Sequence, residues 1–266
     1  MAKYEFLKED SQLKHISVME CIAQEIAKQA GDNFVLKGGT ALLLAHGLKR
    51  FSTDLDFDGK NSAIDLQRAI GAGLSKAGVG KLAITCVKNT STVKRYKVHY
   101  EGNPENPLKV EISYREPINE KDVILQDGIY VYNIDKLAEQ KTAAFVNRLT
   151  ARDIFDIAFL LDKHSEKFSS DVLINLKNKV DDVGIDYLAN AMSEDNLITR
   201  TCDPVTVVFA LDEKLTGLIT ARNQEKSQPP PPKQESWKDK QARLSAKVKD
   251  QDSKPPTKNT QSRDDR

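Results

Sequence analysis

The apolar pattern of the chain changes its period near residue 134, and this change constrains the fold more than any other feature. Upstream, short runs alternate apolar and polar residues, as over 54–58 and 108–114, which is the period of two typical of strands. Downstream, apolar residues recur every three or four positions, as over 204–222, which is typical of helices. The sequence therefore predicts an α+β fold in which a region of strands and helices precedes an all-helical region.

Glycine and proline positions combine with these periods to place the individual elements. We predict helices over residues 10–30, 40–46, 62–77, 134–148, 153–163, 170–180, 185–192 and 204–222. We predict strands over residues 33–37, 54–58, 82–88, 93–100 and 108–114. A cleft between the two regions is a common location for a ligand site.

The charge distribution separates a C-terminal tail from the rest of the chain. Residues 223–266 contain 11 Lys or Arg, 7 Asp or Glu and six of the ten prolines, so this segment has a net charge of +4. Residues 1–222 carry −3, and the whole chain carries +1. Because so polar a segment cannot bury enough surface to offset its ordering entropy, we predict a disordered tail. The predicted organisation is an α+β domain at 1–133, a helical domain at 134–222 and a tail at 223–266.

Composition also excludes several classes of protein. The net charge of +1 argues against a strongly basic nucleic-acid binder, although a local basic patch at Lys94, Arg95 and Lys97 stays possible as an RNA contact. No apolar stretch approaches the roughly 18 residues of a membrane span, and the first residues contain no apolar signal core. The three cysteines are far apart and form no CxxC pair. We therefore expect a cytoplasmic protein with reduced thiols and no membrane partner.

A glycine pair follows the first predicted strand, in the run Lys37-Gly38-Gly39-Thr40. Glycines between a strand and a helix let backbone N–H groups approach a phosphate closely. The hydroxyl of Thr40 can add a further donor there. By itself the pair is also consistent with an ordinary turn.

Two carboxylates lie on the strand predicted over 54–58. Asp54 and Asp56 are two residues apart, so they share one face with a separation of about 6–7 Å, while Leu55 points to the core. That arrangement suits two hard cations bridged by phosphate oxygens. Glu111 is a candidate third carboxylate on a neighbouring strand, and Lys109 shares its face.

Two other interpretations of the acidic run stay open. It can be a solvated strand face, or the first half of a calcium loop running from Asp54 to Gly59 with Asp65 at the twelfth position. Leu55 and Phe57 count against the loop because they are large and apolar where such loops are polar. Asp65 also reaches less far than the usual bidentate Glu.

The ordered set of motifs resembles a known family. The motifs are Gly38-Gly39-Thr40, Arg50-Phe51-Ser52, Asp54-Leu55-Asp56-Phe57, Lys109-Val110-Glu111, Ala138-Glu139-Gln140-Lys141 and Arg152-Asp153-Ile154-Phe155-Asp156. Over about residues 34–162 they are similar to the AbiEii-type nucleotidyltransferase toxins of abortive-infection and type IV toxin–antitoxin systems. This resemblance implies the mixed sheet with helices of the polymerase-β-like nucleotidyltransferase superfamily.

The resemblance also implies roles for single residues. Asp54 and Asp56 would bind Mg²⁺ or Mn²⁺, and Glu111 would be the third carboxylate, as a metal ligand or proton acceptor. Glu111 departs from the Asp that is frequent in the superfamily, which changes its reach by one methylene. Lys141 would contact the phosphates, and Asp153 or Asp156 would position Lys141 or the nucleotide.

Further residues are expected around the nucleotide by the same resemblance. They are Gly38, Gly39, Thr40, Ser52 and Lys109. Lys141 can instead be a solvated helix residue, and the two aspartates can instead cap a helix or pair with Arg148 or Arg152.

The expected function is transfer of NMP from an NTP to an acceptor hydroxyl, implied by the resemblance to be a tRNA 3′ end. The protein would act as a toxin and have a separate antitoxin as partner. Two alternatives stay open, namely nucleotidylation of a small molecule or protein, and a non-catalytic nucleotide- or calcium-binding module.

Overall fold

The computed structural model of the protein describes residues 4–103, 105–227 and 241, and only the backbone of residues 226 and 227. Most of the tail predicted over 223–266 therefore lies outside the described residues. The strands are β1 Phe34–Lys37, β2 Leu55–Gly59, β3 Lys81–Asn89, β4 Val93–Tyr100, β5 Leu108–Ser113, β6 Val123–Gln126 and β7 Ile129–Tyr132. The helices are α1 Asp10–Ala30, α2 Gly38–His46, α3 Gln67–Lys76, α4 Ile134–Asn147, α5 Ala151–Lys163, α6 Ser170–Val183, α7 Ile185–Ser193, α8 Asn196–Thr199 and α9 Pro204–Ser227.

The strands of the described chain form one seven-stranded mixed sheet in the order β3-β4-β5-β2-β1-β7-β6. β2 lies near its centre, antiparallel to β1 and parallel to β5. The register places Asp56 opposite Lys37 on one side and Glu111 on the other. The predicted α+β class with a mixed sheet is confirmed, and the acidic strand lies in the middle of that sheet.

One face of the sheet is covered and the other is partly open. Along β5, buried residues alternate with half-exposed ones, and Lys109 and Glu111 belong to the half-exposed set. α1 packs against α3, where a Cβ at Gly73 would lie only 2.5 Å from the Cα of Ile22. Glycine in α3 therefore permits a close helix crossing, although it lowers helix propensity.

The helical segment and the sheet share one hydrophobic core. β7 ends at Tyr132 and α4 begins at Ile134, so the predicted division between 133 and 134 falls where strands give way to helices. Buried residues on both sides belong to the same apolar cluster, and residues as far as Arg222 group into one unit. α9 continues to Ser227, so its last five residues fall within the predicted tail.

Three local features differ from the prediction. α2 begins at Gly38 rather than at residue 40, and α3 begins at Gln67 rather than at residue 62. The hairpin of β6 and β7 was not predicted, although Asp127 and Gly128 both have positive φ, as its two-residue turn requires.

None of the helices in the described chain combines the length and the apolar character that crossing a membrane requires. Cys21, Cys86 and Cys202 are all free and half-buried.

Candidate active site

The two predicted carboxylates meet a lysine from the neighbouring strand. Asp54 immediately precedes β2 and Asp56 lies within it, and both side chains are about one-third exposed. The Nζ atom of Lys109 lies 3.3 Å from Oδ2 of Asp54 and 3.6 Å from Oδ1 of Asp56. A positive charge therefore already sits beside the carboxylate pair.

Burial is the main cause of a raised pKa at Asp56, and the charges of Asp54 and Glu111 raise it further. Burial lowers the pKa of Lys109, but the charges of Asp56 and Asp54 outweigh it, so the net shift is upward. Both shifts mean that the carboxylate pair favours a nearby cation. Because carboxylate oxygens are the ligands that Mg²⁺ prefers, the residues present fit this ion.

Glu111 lies next to Asp56 but is held by an arginine. Nε of Arg95 on β4 donates to Oε2 of Glu111 at 2.6 Å, and Nη2 lies 2.5 Å from the same oxygen. In the described chain, no three His, Cys, Asp or Glu side chains converge closely enough to form a metal site. The structure thus brings the predicted set of Asp54, Asp56 and Glu111 to one face of the sheet. Two cations on the same sheet, Lys109 and Arg95, pair with these carboxylates.

A cavity of about 430 Å³, called the basic cavity because positive side chains outnumber negative ones in its lining, opens beside the carboxylate pair. Five positive and three negative side chains line it, which suits a polyanion such as triphosphate. The charged lining residues are Arg50, Lys109, Lys141, Arg148, Arg152, Asp54, Asp56 and Asp195. Gly38, Gly39 and Ser52 line the same cavity.

The glycine pair forms the first turn of α2 and faces this cavity. Gly38 has a φ of +73°, and a Cβ on it would lie 3.8 Å from Oδ2 of Asp56. A Cβ on Gly39 would lie 2.3 Å from Nη2 of Arg50. The N-terminus of α2 thus approaches the carboxylates and leaves room for the buried guanidinium of Arg50. These two close approaches explain why glycine occupies both positions.

The hydroxyl of Thr40 serves the protein rather than the cavity. Oγ1 lies 2.7 Å from Oγ of Ser52 and donates to the carbonyl of Asp54 at 2.5 Å. Thr40 is buried and is absent from the cavity lining, whereas Ser52 belongs to it. The predicted phosphate contact of Thr40 therefore does not follow from this geometry, and its evident role is to fix the backbone before β2.

Lys141 is held by two buried aspartates of α5. Its Nζ lies 2.5 Å from Oδ2 of Asp156 and 3.6 Å from Oδ1 of Asp153. Asp156 also accepts two hydrogen bonds from Arg50, at 2.7 and 2.8 Å. Burial opposes ionisation of Asp156, but the charges of Arg50 and Lys141 outweigh it and lower its pKa. Lys141 is mostly buried, not a solvated helix residue.

Asp153 combines two of its expected roles. It forms a capping box with Thr150 at the start of α5, and it accepts two hydrogen bonds from Arg148, at 2.7 and 2.9 Å. Burial raises its pKa, but hydrogen bonds from Arg148 and Thr150 and the charge of Lys141 outweigh burial and lower the pKa to about 2. Neither Asp153 nor Asp156 lines the cavity, but each pairs with a cation that does.

Acid should therefore weaken the fold through Asp153. An aspartate with a depressed folded-state pKa stabilises the protein above its unfolded pKa near 4, and the contribution is lost as pH falls towards the folded value of about 2. We expect Asp153→Asn to be destabilised at pH 7, and this deficit to shrink by about 2 kcal/mol between pH 5 and pH 2. Urea unfolding of both proteins across this range measures it. A deficit that stays constant with pH would contradict the prediction.

The sequence indicates no phosphate-binding role for the three arginines that line the cavity, Arg50, Arg148 and Arg152. Arg50 stands in a quoted motif, but nothing in the sequence indicated that its side chain is buried against Asp156. For Arg148 and Arg152 the sequence indicates only pairing with the aspartates of α5; Arg148 does pair with Asp153, whereas Arg152 pairs with Asp195 at 3.3 Å. The four-residue capping box from Thr150 to Asp153 is the local signal that could have placed Arg148 at the turn between α4 and α5.

The calcium-loop interpretation is wrong for this segment. Residues 55–59 form a central strand that pairs with both β1 and β5, so they cannot wrap around an ion. Asp58 is buried and engages Lys37 and the hydroxyl of Tyr132, the latter at 3.0 Å. Asp65 accepts a hydrogen bond from Tyr96 at 2.8 Å.

Comparison with known proteins is consistent with this geometry. Residues 23–257 match the family described as nucleotidyl transferase AbiEii toxin, type IV toxin–antitoxin system. The crystal structure of JHP933 from Helicobacter pylori is 31% identical, with a TM-score of 0.71 over 83% of this chain and 96% of that one. A second H. pylori protein, described as a candidate nucleotidyltransferase, is 30% identical, with a TM-score of 0.72 over 82% of this chain and 99% of that one.

A more distant relative shares the fold. The nucleotidyltransferase toxin MenT4 from Mycobacterium tuberculosis is 16% identical, with a TM-score of 0.51 over 85% of this chain and 88% of that one. No protein of curated function matches the sequence.

Proposed function

The chain belongs to the AbiEii family of nucleotidyltransferase toxins from type IV toxin–antitoxin systems, and from this premise we propose that it transfers NMP from an NTP to the 3′-hydroxyl of an RNA, with tRNA as the first candidate. One observation carries the proposal. The carboxylates of Asp54 and Asp56 open directly onto a cavity with five cationic side chains. Such a cavity can hold a triphosphate with its α-phosphate beside the carboxylates.

The chain's own residues supply binding and orientation. Lys141, Arg148 and Arg152 neutralise the triphosphate, and the buried aspartates of α5 hold Lys141 and Arg148 in place before substrate arrives. The N-terminus of α2 adds backbone N–H donors on the same side. Preorganised cations of this kind favour the pyrophosphate as it leaves.

Asp54 and Asp56 would hold Mg²⁺, with Mn²⁺ as a substitute. When bound, this ion supplies charge neutralisation at the reacting phosphate. Glu111, held by Arg95, lies beside Asp56 and is the nearest carboxylate on the neighbouring strand to accept the proton of the attacking hydroxyl. Asp54, Asp56, Glu111 and Lys141 are thus the proposed catalytic residues.

A labelling experiment tests this function. The protein is incubated with each α-³²P NTP, Mg²⁺ and total RNA, and we expect label in RNA. Label only in protein or in a small molecule would support the other acceptor classes and overturn the RNA proposal. In cells, we propose that expression slows growth and that a separate antitoxin protein relieves it. Normal growth on expression without any antitoxin would contradict the toxic role.

Lys109 should compete with the metal for the carboxylate pair. Because its ammonium lies 3.3 and 3.6 Å from the two carboxylates, Lys109→Met removes a resident positive charge. We expect Mn²⁺ to bind the nucleotide-free variant about tenfold more tightly. Titration calorimetry or Mn²⁺ electron paramagnetic resonance measures this affinity.

Lys97→Met provides the matched control. Lys97 lies opposite Lys109 in the β4–β5 register and is exposed, so its removal should leave Mn²⁺ affinity unchanged. Weaker Mn²⁺ binding by Lys109→Met would show that this lysine supports the metal site instead of competing for it.

A further inference from the structure

A second cavity opens on the other side of Asp54. It has a volume of about 560 Å³, which is within the range for nucleotide-sized ligands. Among the residues that the structure describes, Asp54 alone lines both this cavity and the basic one. Residues from α1, from the turn before β5 and from α8 build the remaining walls.

The segment before β2 separates the two cavities. Arg50 and Ser52 line the basic cavity, whereas Phe51 and Thr53 line the second one. This alternation is the period of two of an extended chain, whose successive side chains point to opposite sides. The two cavities therefore lie on opposite sides of the segment that ends in Asp54.

The second cavity is much less charged than the first. Apart from Asp54, its charged lining residues are Glu9 and Arg200, which pair with each other at 2.6 Å. The other polar groups are uncharged, and they include the amides of Gln12 and Asn106. The lining carries no net positive charge to bind a triphosphate. It does offer both hydrogen-bond donors and acceptors to an uncharged group such as a nucleobase.

His15 gives this cavity a neutral, fixed wall. Its Nε2 lies 2.9 Å from the carbonyl of Thr53, which can only accept, so Nε2 carries the proton. Its Nδ1 lies 2.5 Å from the hydroxyl of Tyr100 and accepts from it. Burial lowers the pKa of His15 and outweighs the hydrogen bond to Thr53, which favours the neutral ring. The ring of Phe51 packs edge-on against His15 at 5.7 Å and adds an aromatic surface.

We propose that this second cavity binds the terminal nucleoside of the acceptor RNA, with its base near Phe51, Gln12 and Asn106 and its ribose beside Asp54. A flat base that stacks on an aromatic ring and bonds amides along its edge is the usual mode of single-stranded RNA recognition. Nucleotidyl transfer also requires the attacking and leaving oxygens to be roughly in line. If pyrophosphate leaves into the basic cavity, the acceptor must approach the α-phosphate from the side away from that cavity, and the second cavity lies across Asp54 from the basic one.

This inference rests on the proposed RNA acceptor, but a binding experiment tests it without turnover. A 5′-fluorescein RNA trinucleotide with a free 3′-hydroxyl is titrated with the full chain and followed by anisotropy, without NTP. Titration calorimetry measures a non-hydrolysable α,β-methylene NTP in parallel. We expect Asn106→Ala and Gln12→Ala each to weaken trinucleotide binding about fivefold, and Phe51→Leu about tenfold, with unchanged affinity for the NTP analogue.

Asn178→Ala is the matched control, because Asn178 is exposed on α6 and lies outside both cavities. Gln12 and Asn106 lie on different elements, so a fold defect in one variant leaves the other informative. Loss of NTP-analogue binding with unchanged trinucleotide binding would overturn the inference. It would show that the cavity binds the nucleobase of the NTP instead of the acceptor RNA. Wild-type-like binding of both probes by all three variants, or failure of the wild-type protein to bind the trinucleotide, would also overturn it.

The labelling experiment separates the two proposals. If RNA is labelled but trinucleotide binding does not depend on Asn106 and Gln12, the assignment of the acceptor to this cavity is wrong and the proposed function stands. If trinucleotide binding depends on these residues while no RNA is labelled, the cavity stands and the proposed function is wrong.

Discussion

Asp56→Asn is expected to lose nucleotidyl transfer by about a thousandfold or more while its fold becomes slightly more stable. The carboxylate is needed to hold the metal at the reacting phosphate. In the substrate-free protein, however, burial and the charges of Asp54 and Glu111 raise its pKa, so its ionised form opposes folding at pH 7. Initial rates with α-³²P NTP and urea unfolding measure the two effects.

Asp32→Asn controls for the loss of one carboxylate. Asp32 pairs with Lys60 at 2.6 Å and lines neither of the two cavities that meet at Asp54, so its transfer rate should match wild type. Transfer by Asp56→Asn within tenfold of wild type would remove Asp56 from the catalytic residues. A large fall in its stability would show that the carboxylate is structural.

Asp156→Asn is expected to cost about 3–5 kcal/mol of unfolding free energy. Asp156 is fully buried and is the shared counter-charge of Arg50 and Lys141, both of which are themselves buried. Neutralising it leaves two buried cations without their closest partner, and it also frees Lys141 from the orientation that the phosphates need. We therefore expect a lower midpoint in urea and a lower rate in those conditions where the variant is folded.

Asp162→Asn is the control on the same helix. Asp162 is mostly exposed and pairs only with its neighbour Lys163 at 2.9 Å among the ion pairs of the described chain. Its substitution should change the unfolding free energy by no more than about 0.5 kcal/mol. An Asp156→Asn deficit equally small would mean that Arg50 and Lys141 find other partners.

Elements with long, regular periods were predicted almost residue by residue. α1 and β4 begin and end at the predicted residues, because apolar residues at a constant spacing are compatible with only one type of secondary structure. β6 and β7 are only four residues each, and β6 is largely exposed, so their apolar pattern carries little information. The start of α2 was misplaced because glycine is a poor helix former, and its place in the first turn follows from contacts with Asp56 and Arg50.

The contacts of the site likewise divide into those that strand periodicity predicts and those between residues far apart in sequence. The pairing of Asp54 with Asp56, and their proximity to Lys109 and Glu111, follow from strand periodicity and were predictable. The buried pair of Arg50 and Asp156 joins residues 106 positions apart, and no spacing rule indicates such a partner. Of the two aspartates of α5, Asp153 is held by its local partners Thr150 and Arg148, whereas Asp156 is paired through tertiary contacts with Arg50 and Lys141.

The distance in sequence between Arg50 and Asp156 has a consequence for synthesis of the protein. A nascent chain that has emerged only through β7 contains the acidic strand and the glycine turn, yet it lacks the counter-charge that holds Arg50 in the cavity wall. The buried pairs that fix Arg50 and Lys141 in the anion-binding half of the site therefore form only after α5 has left the ribosome and docked.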